Sequence, residues 1–273
     1  VQNLITRTIT GITSIILIIG SLILHPGAFS LLVFLIMIAA HLEYFHLIRQ
    51  KISLPHHLLL LIGSSAIFIM AWFACFAYIS PMFLFLAPVV ILFIFIAELF
   101  RNKPDPLNNL AYTLFPLLYI TIPLITVFML ASPMVTGDGP HWQLAFGFMA
   151  ILWIDDTFAY FTGSLIGRHK LFERISPKKT WEGSIGGALF SLIMAFVLSL
   201  FFHQLNTWQW MIGALIITVF GTLGDLTESQ LKRSLQVKDS GHFFPGHGGV
   251  LDRIDSGLFA APAFLSYLIL LNL

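Results

Sequence analysis

All 14 lysines and arginines of this 273-residue chain fall in alternate gaps between apolar stretches, and that pattern limits the possible folds more than any motif does. Nine segments are long and apolar enough to cross a bilayer, near 8–24, 28–47, 56–79, 82–99, 109–131, 143–166, 183–203, 208–224 and 256–272. Turn-forming stretches separate them: His25-Pro26-Gly27, Ser80-Pro81, Lys103-Pro104-Asp105-Pro106 and Ser132 to Pro140. Arg7 precedes the first segment. Arg49 and Lys51, then Arg101 and Lys103, occupy the second and fourth gaps. Arg168, Lys170, Arg174, Lys178 and Lys179 occupy the sixth, and Lys232, Arg233, Lys238 and Arg253 the eighth. The remaining gaps hold none. By the positive-inside rule the basic side is cytoplasmic, with the N-terminus inside and the C-terminus on the opposite side.

Composition agrees. The chain is 58% hydrophobic and only 10% charged, against about 25% charged in soluble proteins, so a soluble domain is excluded. The expected fold is all-α: a polytopic integral membrane protein of about nine transmembrane helices. Residues 1–140 carry about five spans. Residues 141–273 carry about four, with cytoplasmic connections 167–182 and 225–255. Residues 1–24 are too weakly basic, and lack the small-residue cleavage site, for a signal peptide; they read as a first span. The single cysteine, Cys75, cannot form an internal disulfide. The size and the lack of targeting features favour a bacterial inner membrane. No nucleic-acid partner is expected.

The two long cytoplasmic connections hold nine of the 14 bases. Arg49, Lys51, Arg101 and Lys103 fit ordinary contacts with anionic headgroups. The long connections contain more than charge. In ISPKKTWEGSIGG, Ser176 and Pro177 read as the cap and first residue of a helix. Lys178 and Lys179 would then stand in its first turn, where an anion would relieve the unfavourable placement of cations. A phosphate site and simple snorkelling to lipid phosphates both account for these lysines. Gly163, Gly167, Gly183, Gly186 and Gly187 suit close helix packing.

In GTLGDLTESQLKRSLQVKD, Asp225, Ser229, Lys232 and Arg233 share one helical face. Glu228 and Lys232 have the spacing of an ordinary ion pair. Asp225 ends an apolar span, where a carboxylate is costly unless paired or metal-bound. The segment KDSGHFFPGHGGVLDRID sets Gly246, Gly248 and Gly249 around His247, a turn able to present amides to an anion, and follows it with Asp252, Arg253 and Asp255. Asp225 and Asp252 could together supply carboxylates to a hard cation such as Mg²⁺. His242 and His247 suit phosphate or backbone contacts better than zinc. The chain has no Walker A loop, no H-E-x-x-H motif and no cysteine cluster. Asp155 and Asp156 lie inside the sixth span, and at least one is expected to serve a site.

These residues resemble a known family. Ser229 to Asp255, SQLKRSLQVKDSGHFFPGHGGVLDRID, is similar to the signature of phosphatidate cytidylyltransferase, also called CDP-diacylglycerol synthase. DTFAYFTG from Asp156 and SPKKTWEGSIGG from Ser176 resemble two further patches of that family, in the same order. The resemblance covers about residues 150–256; before residue 140 it is only compositional. It implies transfer of CMP from CTP to phosphatidic acid, dependence on Mg²⁺ with K⁺ as a second cation, and a homodimer among membrane lipids. It points to Asp225 and Asp252 as metal ligands and to Lys179 and Lys238 as catalytic cations. Substrate contacts are expected from Ser176, Thr180, Ser229, Lys232, Arg233, His247, Gly248, Gly249 and Arg253, with Asp156 and Asp255 shaping the site. Lys178 falls at a variable position. Three other readings compete with it. Nucleotidyl transfer to another lipid phosphate would use the same residues. A transporter would place Asp155 and Asp156 on a path, but repeated halves are not evident and the charges gather at one end. A structural subunit would not need the Asp225 and Asp252 arrangement.

Overall fold

The computed structural model describes residues 2–48, 57–76, 78–102, 104–136, 142–237, 240–241 and 248–271, with side chains from residue 10 onward. The chain forms two compact units: Val1–Pro140 with Ser240–Leu251, and His141–Asp239 with Asp252–Leu273. Eight helices among the described residues are long and apolar enough to cross a membrane. The architecture is therefore that of an all-α polytopic membrane protein. The first predicted span is helical over Gln2–Leu24, and Thr10–Leu24 is its apolar stretch among the residues described with side chains.

In the first unit, α1 (Gln2–Leu24) and α2 (Pro26–Ile48) are separated at His25, as the His-Pro-Gly stretch predicts. α3 (His57–Cys75) is followed by a 3₁₀ turn, Pro81–Leu86, that runs directly into α4 (Ala87–Leu99). Ser80 caps this turn, its hydroxyl accepting from the Met82 amide at 3.3 Å, and Pro81 fills the first position, where its missing N–H costs nothing. α5 (Pro106–Pro116) and α6 (Ile122–Met129) form one rod through a π turn, Leu117–Thr121. That turn lies between Pro116 and Pro123, which remove two amides from the ordinary ladder. A single short turn, α7 (Pro133–Thr136), ends this stretch.

The π turn has a second consequence: it delivers Thr121 to a wholly buried polar chain. Thr121 Oγ1 donates to Ser64 Oγ at 3.0 Å, and Ser64 Oγ lies 3.1 Å from His41 Nε2. His41 Nδ1 lies 2.7 Å from the Met37 carbonyl, which can only accept, so Nδ1 carries the proton and Nε2 accepts. The relay joins α2, α3 and the π turn without leaving a buried polar atom unmatched.

The second unit holds α8 (Trp142–Ile166), a two-stranded antiparallel hairpin of β1 (Lys170–Phe172) and β2 (Ser176–Thr180), α9 (Trp181–Phe201), α10 (Thr207–Ser234) and α11 (Leu251–Leu270). A capping box starts α10: the Gln209 amide donates to Asn206 Oδ1 at 2.9 Å and the Asn206 amide to Gln209 Oε1 at 2.8 Å. Trp210 is fully buried with its indole N–H on the Phe202 carbonyl at 3.2 Å. α8 and α9 approach through small residues. A Cβ on Gly183 would stand 2.8 Å from the Ala159 carbonyl, and one on Gly186 would overlap Thr162. Phe158 stacks on Phe190 at 3.6 Å between ring centres beside this contact. At about 1.5 Å per residue, the 28 residues of α10 exceed a hydrocarbon core of about 30 Å. If the span begins at Thr207, its last two turns extend past the core, and Asp225 stands at the rim.

One sequence expectation is corrected. Ser176 and Pro177 do not open a helix; they lie in β2, with Ser176 paired to Phe172 and Thr180 to Lys170. The helix opens at Trp181. Thr180 is the cap, its side chain accepting from the Gly183 amide at 3.2 Å with extended backbone angles. The chain contained two cap signals four residues apart, and strand pairing claims the first.

The buried relay predicts an order of stabilities. His41→Leu leaves the Ser64 hydroxyl without its acceptor and should cost about 1–3 kcal/mol. Ser64→Ala lets Thr121 turn to His41, which already lies 3.2 Å away, and should cost less. Thermal unfolding in detergent distinguishes the two variants; an inverted order contradicts the relay.

Candidate active site

The end of the hairpin explains why two adjacent lysines differ. Neighbours on a strand point to opposite faces. Lys178 is exposed, whereas Lys179 is half-buried and its ammonium lies 2.5 Å from Asp225 Oδ2. Because both lysines precede the helix, neither sits in a first turn, and the predicted conflict with the helix dipole does not arise. Glu182, in the first turn of α9, ties down the start of the hairpin. It accepts from the amides of Arg168 and His169, each at 3.1 Å, and contacts His169 Nδ1 at 2.6 Å. Thr180 is buried and its hydroxyl is engaged as the cap. That makes it a support for Lys179.

α10 carries the central residues on its protruding face. Asp225 Oδ1 accepts from Ser229 Oγ at 3.3 Å while Oδ2 holds Lys179. One turn on, Lys232 serves two carboxylates. Its ammonium donates to Asp252 Oδ1 at 2.6 Å and forms an ion pair with Glu228. Glu228 is 1% exposed, and Lys232 is its ion-pair partner. Arg233 is exposed beside this group.

α11 and α8 complete the cluster. α11 meets α10 through Gly224, where a Cβ would stand 2.5 Å from the Asp255 carbonyl. That contact places Asp255 within electrostatic reach of Asp225, Asp156 and Lys232. Its Oδ1 accepts from the Ser256 amide at 2.8 Å. Asp156 stands among Lys179, Asp225 and Arg253. Asp155 points the other way, to α9, where a Cβ on Gly187 would collide with its carboxylate. It is buried and faces the Thr218 hydroxyl without reaching hydrogen-bond geometry.

Of the residues expected from sequence, the second unit brings together Asp156, Lys179, Asp225, Ser229, Lys232, Asp252 and Asp255, with Arg253 and Arg233 exposed on the same helices. Ser176 is half-buried in β2. Gly248 and Gly249 belong to the first unit; Gly248 adopts φ 82°, the left-handed region that glycine tolerates. Lys238 and His247 lie outside the described residues. The ion pair expected from the spacing of Glu228 and Lys232 forms, but sequence reasoning missed that Glu228 is buried. The signal available was its position, three residues past Asp225 at the end of an apolar span.

The cluster sets Asp156, Asp225, Glu228, Asp252 and Asp255 against Lys179, Lys232 and Arg253. Carboxylates outnumber cations, so the site has room for further positive charge. Among the described residues, no three histidines, cysteines or acids converge on one ion position. Carboxylate oxygens are the donor class that Mg²⁺ takes, and in this structure Asp225 and Asp252 each contact a lysine.

The sequence model described as the cytidylyltransferase family matches residues 5–271. Among curated proteins, the chain is similar to the phosphatidate cytidylyltransferase of Staphylococcus haemolyticus (strain JCSC1435), 49% identical over 127 residues, which cover 46% of this chain and 48% of that protein. It is 47% identical to the proteins of the same name from Staphylococcus saprophyticus subsp. saprophyticus and Staphylococcus aureus (strain COL), with the same coverage. The chain spans about half the length of the curated relatives it matches.

The shared ammonium yields a stability test. Lys232→Met removes the cation between two sequestered carboxylates and should cost about 3 kcal/mol. Adding Glu228→Gln should recover part of that loss. Unfolding in detergent measures both, and a Lys232→Met protein as stable as the parent would show that the carboxylates do not depend on it.

Proposed function

The chain belongs to the cytidylyltransferase family, and from that premise we propose that it is a phosphatidate cytidylyltransferase, transferring CMP from CTP to phosphatidic acid. The products are CDP-diacylglycerol and pyrophosphate. The observation that carries this reading is the convergence of two lysine–carboxylate pairs, Lys179 with Asp225 and Lys232 with Asp252, from the hairpin, α10 and α11. A phosphate oxygen of the lipid forms a bond to the α-phosphorus of CTP, and the bond from that phosphorus to the bridging oxygen breaks as pyrophosphate leaves. The nucleophile is already anionic at neutral pH, so no strong general base is needed. The barrier to be overcome is repulsion between two phosphorylated reactants.

The side chains answer that repulsion. Lys179 and Lys232 present compact ammonium groups that can turn from carboxylate to phosphate. Arg233 and Arg253 add exposed positive charge for the triphosphate. Ser229 orients Asp225, and Glu228 keeps an anion beside Lys232 when Asp252 is engaged elsewhere. Asp156 and Asp255 shape the centre. Asp225 and Asp252 would hold Mg²⁺, which would supply positive charge to offset that gathering on the leaving pyrophosphate. K⁺ is the second cation of this reading. Lys238, His247, Gly248 and Gly249 are taken as further contacts for CTP. The site faces the cytosol at the inner membrane, where CTP and the lipid headgroup meet, with the N-terminus cytoplasmic, and the protein acts as a homodimer.

Purified protein incubated with labelled CTP, Mg²⁺ and phosphatidic acid should yield a CMP-bearing lipid and pyrophosphate. Asp225→Asn and Asp252→Asn should each lower turnover by about a hundredfold or more. Lys179→Ala should be far more damaging than Lys178→Ala, as their opposite faces require. An active Asp225→Asn/Asp252→Asn double variant, or equal mild losses at the two lysines, would overturn these assignments.

A further inference from the structure

Two short strands are a weak structure by themselves: an isolated two-stranded hairpin is marginally stable at best in water. The hairpin of β1 and β2 has strands of three and five residues, yet it carries Lys179 to Asp225. The contacts that fix it gather at its foot. The Trp181 amide donates to the His169 carbonyl at 2.9 Å, extending the ladder past the Lys170–Thr180 pair. Gly167 presses on the same end. A Cβ there would overlap the Gly163 carbonyl and stand 2.7 Å from Thr180 Oγ1.

Glu182 adds a contact that its position in α9 explains. An acid three residues after a helix cap can fold back onto the cap amide. Here the cap is Thr180 and the residue three further on is Gly183, so Glu182 is one residue too early for that bond. Its carboxylate is favoured by the positive end of α9 and reaches sideways instead. Oε2 accepts from the Arg168 and His169 amides, each at 3.1 Å. Oε1 lies 3.2 Å from the His169 amide and 2.6 Å from His169 Nδ1. An ionised carboxylate can only accept, so Nδ1 carries the proton. The Glu182 side chain is 21% exposed and that of His169 79%, so the acid is sheltered by the junction it holds. One side chain thus ties the strand entering the hairpin to the helix leaving it, three residues after Lys179. All these residues belong to the second compact unit.

We propose that Glu182 is a positioning residue for Lys179: it clasps the foot of the hairpin in the register that turns Lys179 toward Asp225 and Lys178 away. A slip of one residue in strand pairing exchanges the faces of neighbouring side chains, so a reaction that uses one of these lysines depends on that register. The functional consequence rests on the CMP-transfer reading; the clasp rests on geometry alone. Glu182 touches no reacting atom and acts through the hairpin it holds.

The test combines two readouts on the full-length protein in detergent. The first is reductive methylation of amines, followed site by site by mass spectrometry. In the parent, Lys178 should react faster than Lys179. In Glu182→Ala the Lys179 rate should rise toward that of Lys178. The second is CMP transfer. Its kcat/KM for CTP should fall roughly tenfold in Glu182→Ala, the lower end of the scale for hydrogen bonds to a charged group, because water reaches these amides. Glu182→Gln keeps an acceptor oxygen without the charge and should lose less. In a Lys179→Ala background, Glu182→Ala should cause little further loss, because its effect passes through Lys179. Unchanged methylation of Lys179 overturns the clasp. Losses that add in the double variant overturn positioning in favour of general destabilisation. If the parent chain transfers no CMP, the CMP-transfer reading fails while methylation still decides the clasp. Should Glu182→Ala not accumulate, Glu182→Gln carries both readouts with smaller shifts in the same directions, and parental behaviour there overturns the proposal.

Discussion

Ionised carboxylates at the ends of apolar helices are tolerable only beside cations, and the second unit is organised around that requirement. Stripping water from a carboxylate costs several kcal/mol in real proteins (range wide). Asp225 meets this with Lys179, and Asp252 and Glu228 share Lys232. Two of these pairs join different elements, Lys179 of the hairpin with Asp225 of α10 and Lys232 of α10 with Asp252 of α11, so they also fix how the hairpin and α11 sit on α10. A site that reads phosphates has the same need in reverse: phosphates seek the lysines, and a divalent cation seeks the acids.

Such pairs form only if the helix backbones come close, and here glycine decides. Gly183, Gly186 and Gly187 let α9 lie against α8, and Gly224 lets α11 approach α10 until a Cβ would touch the Asp255 carbonyl. In a membrane the helices gain little from hydrophobic association, because lipid is as apolar as leucine. Close backbone contact is therefore the main source of packing energy, and it simultaneously draws the polar ends of α8, α10 and α11 into one cluster. The same small residues serve stability and chemistry, so a bulky substitution at Gly187 would disturb Asp155 and the helix contact together.

What the sequence disclosed follows from the kind of signal each feature left. Spans were readable because length and apolarity are local properties: the predicted 183–203 and 208–224 lie within or near α9 and α10. The count of nine exceeds by the first segment the eight long apolar helices found among the described residues. Asp225 was readable because charge is rare in such a chain and it ends an apolar span; Lys232 was readable as sharing its helical face, and Lys179 through the family resemblance of its segment. Partners were not readable. Nothing local says that Lys232 reaches Asp252, 20 residues away, or that Glu182 reaches the amides of Arg168 and His169. Those contacts depend on tertiary approach. The start of α9 was misplaced for a different reason. Ser176-Pro177 and Thr180 are both sound cap signals, and only the pairing of β2 with β1, a non-local event, chooses between them.

The choice of lysine over arginine at the two central positions fits this arrangement. An ammonium is a compact charge with three rotatable donors, able to contact two carboxylates on different sides, as Lys232 does with Asp252 and Glu228. A guanidinium would prefer to lock one carboxylate in a planar two-bond fork. Locking would suit a permanent brace; the proposed reaction, in which acids and cations would exchange partners as phosphates arrive, needs looser pairs. Glu228 makes the exchange balanced at Lys232, since that ammonium keeps one anionic neighbour whichever way it turns. At Lys179 the arrangement differs: Asp225 is its direct ion-pair partner, while Asp156 senses it only at a distance. The two lysines are therefore unequal by construction, Lys179 being the cation freer to leave its carboxylate and follow a phosphate, and Lys232 the one held at the base of the site.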